Sequence, residues 1–323
     1  MPTKKSRMIG CLLGGAIGDA MGYPVEFLRY DDIVYHLGGA GVRDLSKSAL
    51  LSDDTQMTLF TAEGLLLSNK TGKDPVACVY RSYLRWYYTQ TGEKVPGAKY
   101  EGGLLREKAL FATRSPGNTC LSSLSRGIMG TVENPLNNSR SSGGVMRAAP
   151  CCVFPNAYEL GCKTAAITHG NPGAYVPAGA LALLLQKLYY GQSIPDGIND
   201  LVSFLSEKEE AQSTVSALKK AIALVEEGRP CAVTISELGE CWTGEEALAI
   251  AVYCALSFPT SYDQAIRLAV NHSGASDSTA SICGNIMGMA LGAGAIPIEW
   301  RDGVELCDLI RMYAVRLSTI PQE

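Results

Sequence analysis

The chain has 323 residues, 46% of them hydrophobic and 19% charged, with 28 Lys and Arg against 32 Asp and Glu for a net charge of -4. That composition excludes disorder, and with no basic cluster beyond Lys4, Lys5 and Arg7 it gives nucleic acid and anionic membranes no purchase. The eleven cysteines are odd in number, form no CxxC pair and include adjacent Cys151 and Cys152, so they read as reduced core residues of a cytoplasmic protein rather than a disulfide framework.

The N-terminal stretch MPTKKSRMIGCLLGGAIGDA begins basic and turns apolar, but four glycines interrupt the run and Asp19 closes it. It makes a poor signal-peptide core, and with no run of 18 uninterrupted apolar residues elsewhere a soluble, unexported chain is expected. Apolar residues recur every three or four positions over 54–69, 76–90, 173–190, 211–227, 245–257 and 276–293. This is the helical period. Gly72, Pro116, Pro172, Gly191, Pro195, Gly228, Pro259 and Pro297 fall at the expected helix ends. The expectation is an all-α, compact multi-helix bundle forming one domain over 1–323. Residues 131–145, rich in Asn, Ser and Gly, read as a long functional loop.

Taken in order, the segments able to carry chemistry begin with GDAMGYPVEF. Its Asp19 reads as a buried carboxylate that satisfies backbone amides near glycine turns, and its Glu26 as a surface or capping carboxylate when considered alone. Small residues here and in ICGNIMGMALGAGA imply close backbone approach between two packed helices, since glycine costs a helix about 1 kcal/mol per position. Ser52, Asp53, Asp54 and Thr55 open an amphipathic helix. Capping explains them, yet two adjacent carboxylates repel and a cation between them relieves that repulsion. Tyr83, Trp86, Tyr87 and Tyr88 read as core with a tyrosine edge exposed, and RSPGN (114–118) as a turn.

Further along, SSGGVMR offers an anion cradle in which Ser142, Gly143, Gly144, Val145 and Met146 point backbone amides at a phosphate as a helix begins. A dinucleotide fingerprint in GGAIGD is rejected because no strand precedes it. The GASDST turn places Asp277 and Ser278 at a helix start, where they would serve as an ordinary N-cap. Two clusters of carboxylate and hydroxyl oxygens suit hard cations such as Mg²⁺ or Mn²⁺.

Five motifs in order, GDAxGxPxEF, SDDT, GGxMRxAP, THxxP and the C-terminal ASDS, closely resemble those of the ADP-ribosylglycohydrolase family, the dinitrogenase-reductase-activating and ARH-type hydrolases, over about residues 8–318. The resemblance implies an all-α orthogonal bundle with two divalent cations, Mg²⁺ or Mn²⁺, at the base of a cleft. It makes Ser52, Asp53, Asp54, Asp277 and Ser278 metal ligands, and Glu26 and Asp54 the catalytic carboxylates. Asn118, Ser142, Gly143, Gly144, Val145, Met146 and His169 become contacts to substrate, and His272 a brace or cap beside the second half-site. Ala275 stands where the family pattern carries an aspartate, so one ligand is missing. The intact surroundings favour a deliberate Asp-to-Ala replacement over a natural variant. The implied reaction is hydrolysis of the bond joining ADP-ribose to a modified protein side chain, arginine first. The implied partners are ADP-ribosylated proteins, ADP-ribose and, among rival readings, an ADP-ribosylating toxin bound by a catalytically weak protein.

Overall fold

The computed structural model describes residues 1–321, and every regular element among them is helical. The first helices are α1 (Lys4–Gly22), α2 (Tyr30–Leu37), α3 (Asp53–Thr71), α4 (Pro75–Thr91), α5 (Asn118–Leu124), α6 (Ala157–Ala166) and α7 (Pro172–Tyr189). The rest are α8 (Ile194–Ser206), α9 (Gln212–Glu226), α10 (Ala232–Ser236), α11 (Gly244–Ser257), α12 (Tyr262–Val270), α13 (Ser276–Leu291), α14 (Ile298–Gly303) and α15 (Cys307–Leu317). The six periodic runs therefore became helices, each within a few residues of its expected ends.

Local chemistry fixes those ends. Ser52 caps α3 by accepting from Asp54 N, and Gly72 closes it in the left-handed region. Asp74 caps α4 by accepting from Ala77 N, Pro75 takes the first helical position, and Gly92 ends the helix. Asn171 and Pro172 do the same for α7.

The centre of the bundle is α1 laid along α13. A Cβ on Gly284 would lie 2.0 Å from the Gly14 carbonyl oxygen, and one on Gly14 would lie 2.4 Å from that of Gly284, so the two backbones touch where no side chain fits. Asn285 Nδ2 donates to Cys11 O and Arg7 Nη1 donates to Met289 O and Ala290 O, placing a cation at the α13 C-terminus. The segment Lys4–Val25 is the one among the described residues long and apolar enough to cross a membrane by composition; 83% of its apolar 18-residue stretch is buried here inside the protein. Gly284→Ala should lower the unfolding free energy by about 1–3 kcal/mol, through overpacking, and so lower the urea or thermal midpoint. An unchanged midpoint would mean that the helices separate easily.

Two details differ from the sequence reading. Residues 51–62 are all buried, so α3 is a central helix through this stretch rather than an amphipathic one, and its first-turn carboxylates enter the interior with it. The glycines around Asp19 lie within α1 and not in turns. All eleven cysteines are free, and only Cys231 and Cys307 are not buried. Tyr83 and Trp86 are fully buried and Tyr88 is partly exposed.

Candidate active site

Beneath the start of α3 lies Asp19, fully buried. Its Oδ1 and Oδ2 accept from Ser52 N at 3.1 Å, and Oδ2 also accepts from Thr55 N at 3.1 Å and Thr55 Oγ1 at 2.5 Å. One carboxylate thus serves the amides that a helix N-terminus leaves without partners. This is the structural role the sequence suggested for it. Burial raises the Asp19 pKa, against the hydrogen bonds from Thr55 and Ser52. Asp19→Ala should cost about 1–3 kcal/mol for each buried donor it orphans, read as the unfolding free energy; a loss under 1 kcal/mol would show that Asp19 is dispensable to the α3 start.

The same helix start is tied to its surroundings from outside. Asp53 N donates to Arg114 O, and Asp53 Oδ2 accepts from Gly117 N at 3.0 Å. Arg114 Nη1 donates to Leu51 O, and its guanidinium pairs with both carboxylate oxygens of Glu305. The RSPGN turn is therefore bolted to the acidic end of α3.

A second set of segments meets opposite. Phe27 N donates to Gly274 O at 2.8 Å, Gly274 N to Leu28 O at 3.2 Å, and Ala275 N to Glu240 O at 3.2 Å. Gly274 has φ +102°, and a Cβ there would fall 2.0 Å from Glu240 O. Position 274 admits glycine alone. Ala275 is the N-cap of α13 and gives it no side-chain hydrogen bond, contrary to the expectation that Ser or Asp caps this helix. Asp277 and Ser278 follow inside the first turn, with Asp277 Oδ1 accepting from Ser278 N at 2.8 Å. His272 braces the turn, its ring nitrogens 2.8 Å from Ser273 O and 2.6 Å from Thr279 Oγ1. Burial lowers its pKa to about 4, so it stays neutral.

Five carboxylates converge between these two ends. Burial, then the charges of Asp277, Asp53 and Asp19, hold Asp54 well above the ordinary carboxylate range, with Ser278 hydrogen bonding in opposition. Burial, then Glu26, Asp19 and Asp53, do the same to Asp277. Asp53 is raised to about 8, by burial first and then by Asp19 and Glu26. Glu26 is raised by burial and by Asp19, while Ser115 lowers it. Asp54 Oδ2 is buried with no hydrogen-bond partner. A buried, unpartnered carboxylate oxygen among like charges needs a proton or a cation. The donor set is carboxylate and hydroxyl oxygen, which fits a hard divalent ion. Among the described residues no three His, Cys, Asp or Glu side chains stand arranged as a finished metal cage, and Ala275 presents only a methyl group.

Above the acids opens a cavity of about 230 Å³, and Glu26, Asp53, Asp54, Ala275 and Ser278 line its acidic end. Asn118, Ser142, Gly143, Met146 and His169 line it too, so ten positions singled out from sequence meet in one cleft. Ser52 and Asp277 are buried and do not line the cavity. Gly144 and Val145 are buried behind the wall as well. The amides of Val145 and Met146 turn inward onto Ser142 O, and Ser142–Gly144 is a single 3-10 turn rather than the start of a helix. The anion cradle is thereby narrower than expected. His169 packs on Gly143, where a Cβ would meet its Nε2 at 3.1 Å. Burial, then Arg147, lower the His169 pKa to about 3.

Sequence reasoning passed over the cleft mouth. Phe27 and Trp242 stack there with ring centroids 5.8 Å apart and planes 11° from parallel, both exposed and both lining the cavity. Phe27 ends the quoted GDAMGYPVEF motif, but Trp242 lies in a polar stretch with no periodic signal.

Comparisons with known proteins bear on the family and the fold. The ADP-ribosylglycohydrolase family model matches residues 1–322. The chain belongs to the ADP-ribosylglycohydrolase family. It is an enzyme of the ADP-ribosylglycohydrolase class. It is similar to the ADP-ribosylarginine hydrolase Tri1 of Pseudomonas putida (strain GB-1), 26% identical over 96% of this chain and 77% of that one. It is also similar to the ADP-ribosylhydrolase ARH3 of Bos taurus, 25% identical over 93% of this chain and 89% of that one. A solved structure described as an ADP-ribosylglycohydrolase-related protein complex superposes with a TM-score of 0.69 at 25% identity, covering 99% of both chains.

Proposed function

We propose that this chain hydrolyses the N-glycosidic bond between ADP-ribose and a modified protein side chain, arginine first, in a reaction that depends on Mg²⁺ or Mn²⁺ and is impaired by Ala275. The observation that carries this reading is the unpartnered buried Oδ2 of Asp54, set among four further carboxylates at the floor of the cleft. The similarity to the Pseudomonas putida Tri1, named an ADP-ribosylarginine hydrolase, favours arginine over other linkages.

Asp53, Asp54, Asp277 and the hydroxyls of Ser52 and Ser278 would hold the divalent cations. When bound, these supply Lewis-acid polarisation of ribose hydroxyls and water. Glu26 and Asp54 line the acidic end of the cleft, where their carboxylates stabilise the positive charge that grows on an oxocarbenium-like ribose. Ser142, Gly143 and Asn118 take the diphosphate end, and neutral His169 beside them adds no charge that would fix a phosphate too tightly to leave. Binding energy gathered there positions the scissile bond over the acids.

A second reading, an ADP-ribose- or toxin-binding protein with weak catalysis, is favoured by Ala275 and by the absence of a finished cage among the described residues. Released ADP-ribose separates the two. The chain is incubated with ADP-ribosyl-arginine protein in Mn²⁺, in Mg²⁺ and in chelator. Cation-dependent release supports hydrolysis; tight ADP-ribose binding without release in any condition supports the second reading.

A further inference from the structure

Arg147 is fully buried and forms no salt bridge among the described residues. Its guanidinium lies over the Tyr83 ring, 4.3 Å from the centroid, and Nη1 points at Met57 Sδ and Cys120 Sγ. Its one oxygen acceptor among the described residues is Thr168 Oγ1, at 2.6 Å from Nη2. Thr168 Oγ1 is in turn 2.8 Å from His169 Nδ1, and His169 Nε2 is 2.9 Å from Ser141 Oγ on the cleft wall. A cation with no carboxylate partner among the described residues thus heads a chain of hydrogen bonds that ends in the site.

We infer that Arg147 and Thr168 are positioning residues: they fix His169 as the Nε2–H tautomer, so that Ser141 is turned into a hydroxyl donor for an anionic oxygen in the cleft. A guanidinium has donors only, so Thr168 Oγ1 must accept from it. A hydroxyl that accepts from a cation becomes a stronger donor and a poorer acceptor. Among the described residues the one nitrogen or oxygen acceptor for the Thr168 proton is His169 Nδ1, a far better acceptor than the neighbouring Cys120 sulfur. Nδ1 therefore keeps its lone pair toward the cation, the ring proton goes to Nε2, and Nε2–H donates to Ser141 Oγ. The buried ring stays neutral, as its lowered pKa requires.

Ser141 Oγ is left with its own proton to give. Ser139 Oγ stands 3.3 Å away, and a phosphate oxygen entering the cleft is the better acceptor. The chain of donors then runs unbroken from buried cation to bound anion, delivering part of the Arg147 charge without placing the guanidinium in the site. The identity of that anion as the ADP-ribose diphosphate rests on the proposed function; the tautomer does not.

The test uses the full chain labelled with ¹⁵N-histidine, which carries only three histidines, with His169→Gln to assign the signal. Two-bond ¹H–¹⁵N spectra should show His169 protonated on Nε2 and bare on Nδ1. Thr168→Val should give a mixture of tautomers or the reverse one, and Thr168→Ser should restore the first. Ser141→Ala, at a partly exposed position, should leave the tautomer alone and weaken ADP-ribose binding by about tenfold, the loss of one hydrogen bond to a charged group. An Nδ1–H tautomer in the parent chain, or a tautomer indifferent to Thr168→Val, would overturn the inference. If Thr168→Val fails to fold, the parent spectrum and the Ser141→Ala binding result decide it, since binding unaffected by Ser141→Ala would equally overturn it. ADP-ribose binding absent from the parent, with the Nε2–H tautomer present, would instead count against the proposed function.

Discussion

Ala275→Asp is expected to raise cation-dependent release of ADP-ribose from ADP-ribosyl-arginine protein by at least about tenfold, the low end of what even outer contacts contribute to metal sites. Position 275 is the N-cap of α13 and lies on the cavity wall beside Ser278 and Asp54. An aspartate there would do two opposing things. As a cap it would stabilise α13 by about 1 kcal/mol, and as one more carboxylate it would add repulsion to a cluster that already holds its protons tightly. In chelator the two effects offset, so the variant should unfold near the parent's midpoint or below it. With Mn²⁺ at about a hundred times its dissociation constant, linkage should add about 2.7 kcal/mol. The parent should gain less. Equal release by both chains, or release indifferent to chelator, would remove the claim that 275 is a missing ligand position.

Asp54→Asn should give the other large effect, a protein more stable than its parent without metal and unable to use metal. The sign follows from proton linkage. Asp53, Asp54 and Asp277 are raised in the folded state, so above the ordinary carboxylate range the folded chain binds more protons than the unfolded one. Stability is present below the unfolded value and falls as pH rises through the folded one, by about 1.4 kcal/mol per pH unit for each proton retained. His169 and His272 act in the opposite sense below the ordinary histidine value, because burial lowers both. The window that isolates the acids therefore lies above about 6.5 and extends to the Asp53 value of about 8. Urea midpoints in chelator should fall across that window in the parent and fall less steeply in Asp54→Asn. Mn²⁺ should reverse the slope in the parent, since cation ligands must be deprotonated, and leave the variant unmoved. A parent whose midpoint rises with pH in chelator would contradict the raised carboxyls.

The helices were legible because their period, caps and breakers all point the same way, as at Asp74, Pro75 and Gly92 around α4. The α1–α13 contact was legible too, since glycines at helical spacing in two distant segments leave little else to expect. Burial of α3 was not. Its first turn carries Asp53 and Asp54, which in sequence read as capping and dipole partners of an amphipathic helix or as cation ligands, and only the packing around them takes both out of water. The cleft was legible as motifs but not as a wall: nothing local distinguishes Gly143, which lines it, from Gly144, which lies behind it. Arg147 stands inside a quoted motif, yet its partner Thr168 is a tertiary neighbour that no spacing rule supplies. Phe27 and Trp242 meet for the same reason.

On the proposed reading, the buried acids at the N-terminal ends of α3 and α13 form one divalent-cation site. Crystals of the chain grown with Mn²⁺ and measured at the manganese absorption edge test it most directly. An anomalous peak is expected within coordination distance of both Asp54 Oδ2 and the Asp277 carboxylate, lost in Asp54→Asn. A fully ordered cleft with no peak there at saturating Mn²⁺, or a peak that persists in Asp54→Asn, would contradict it.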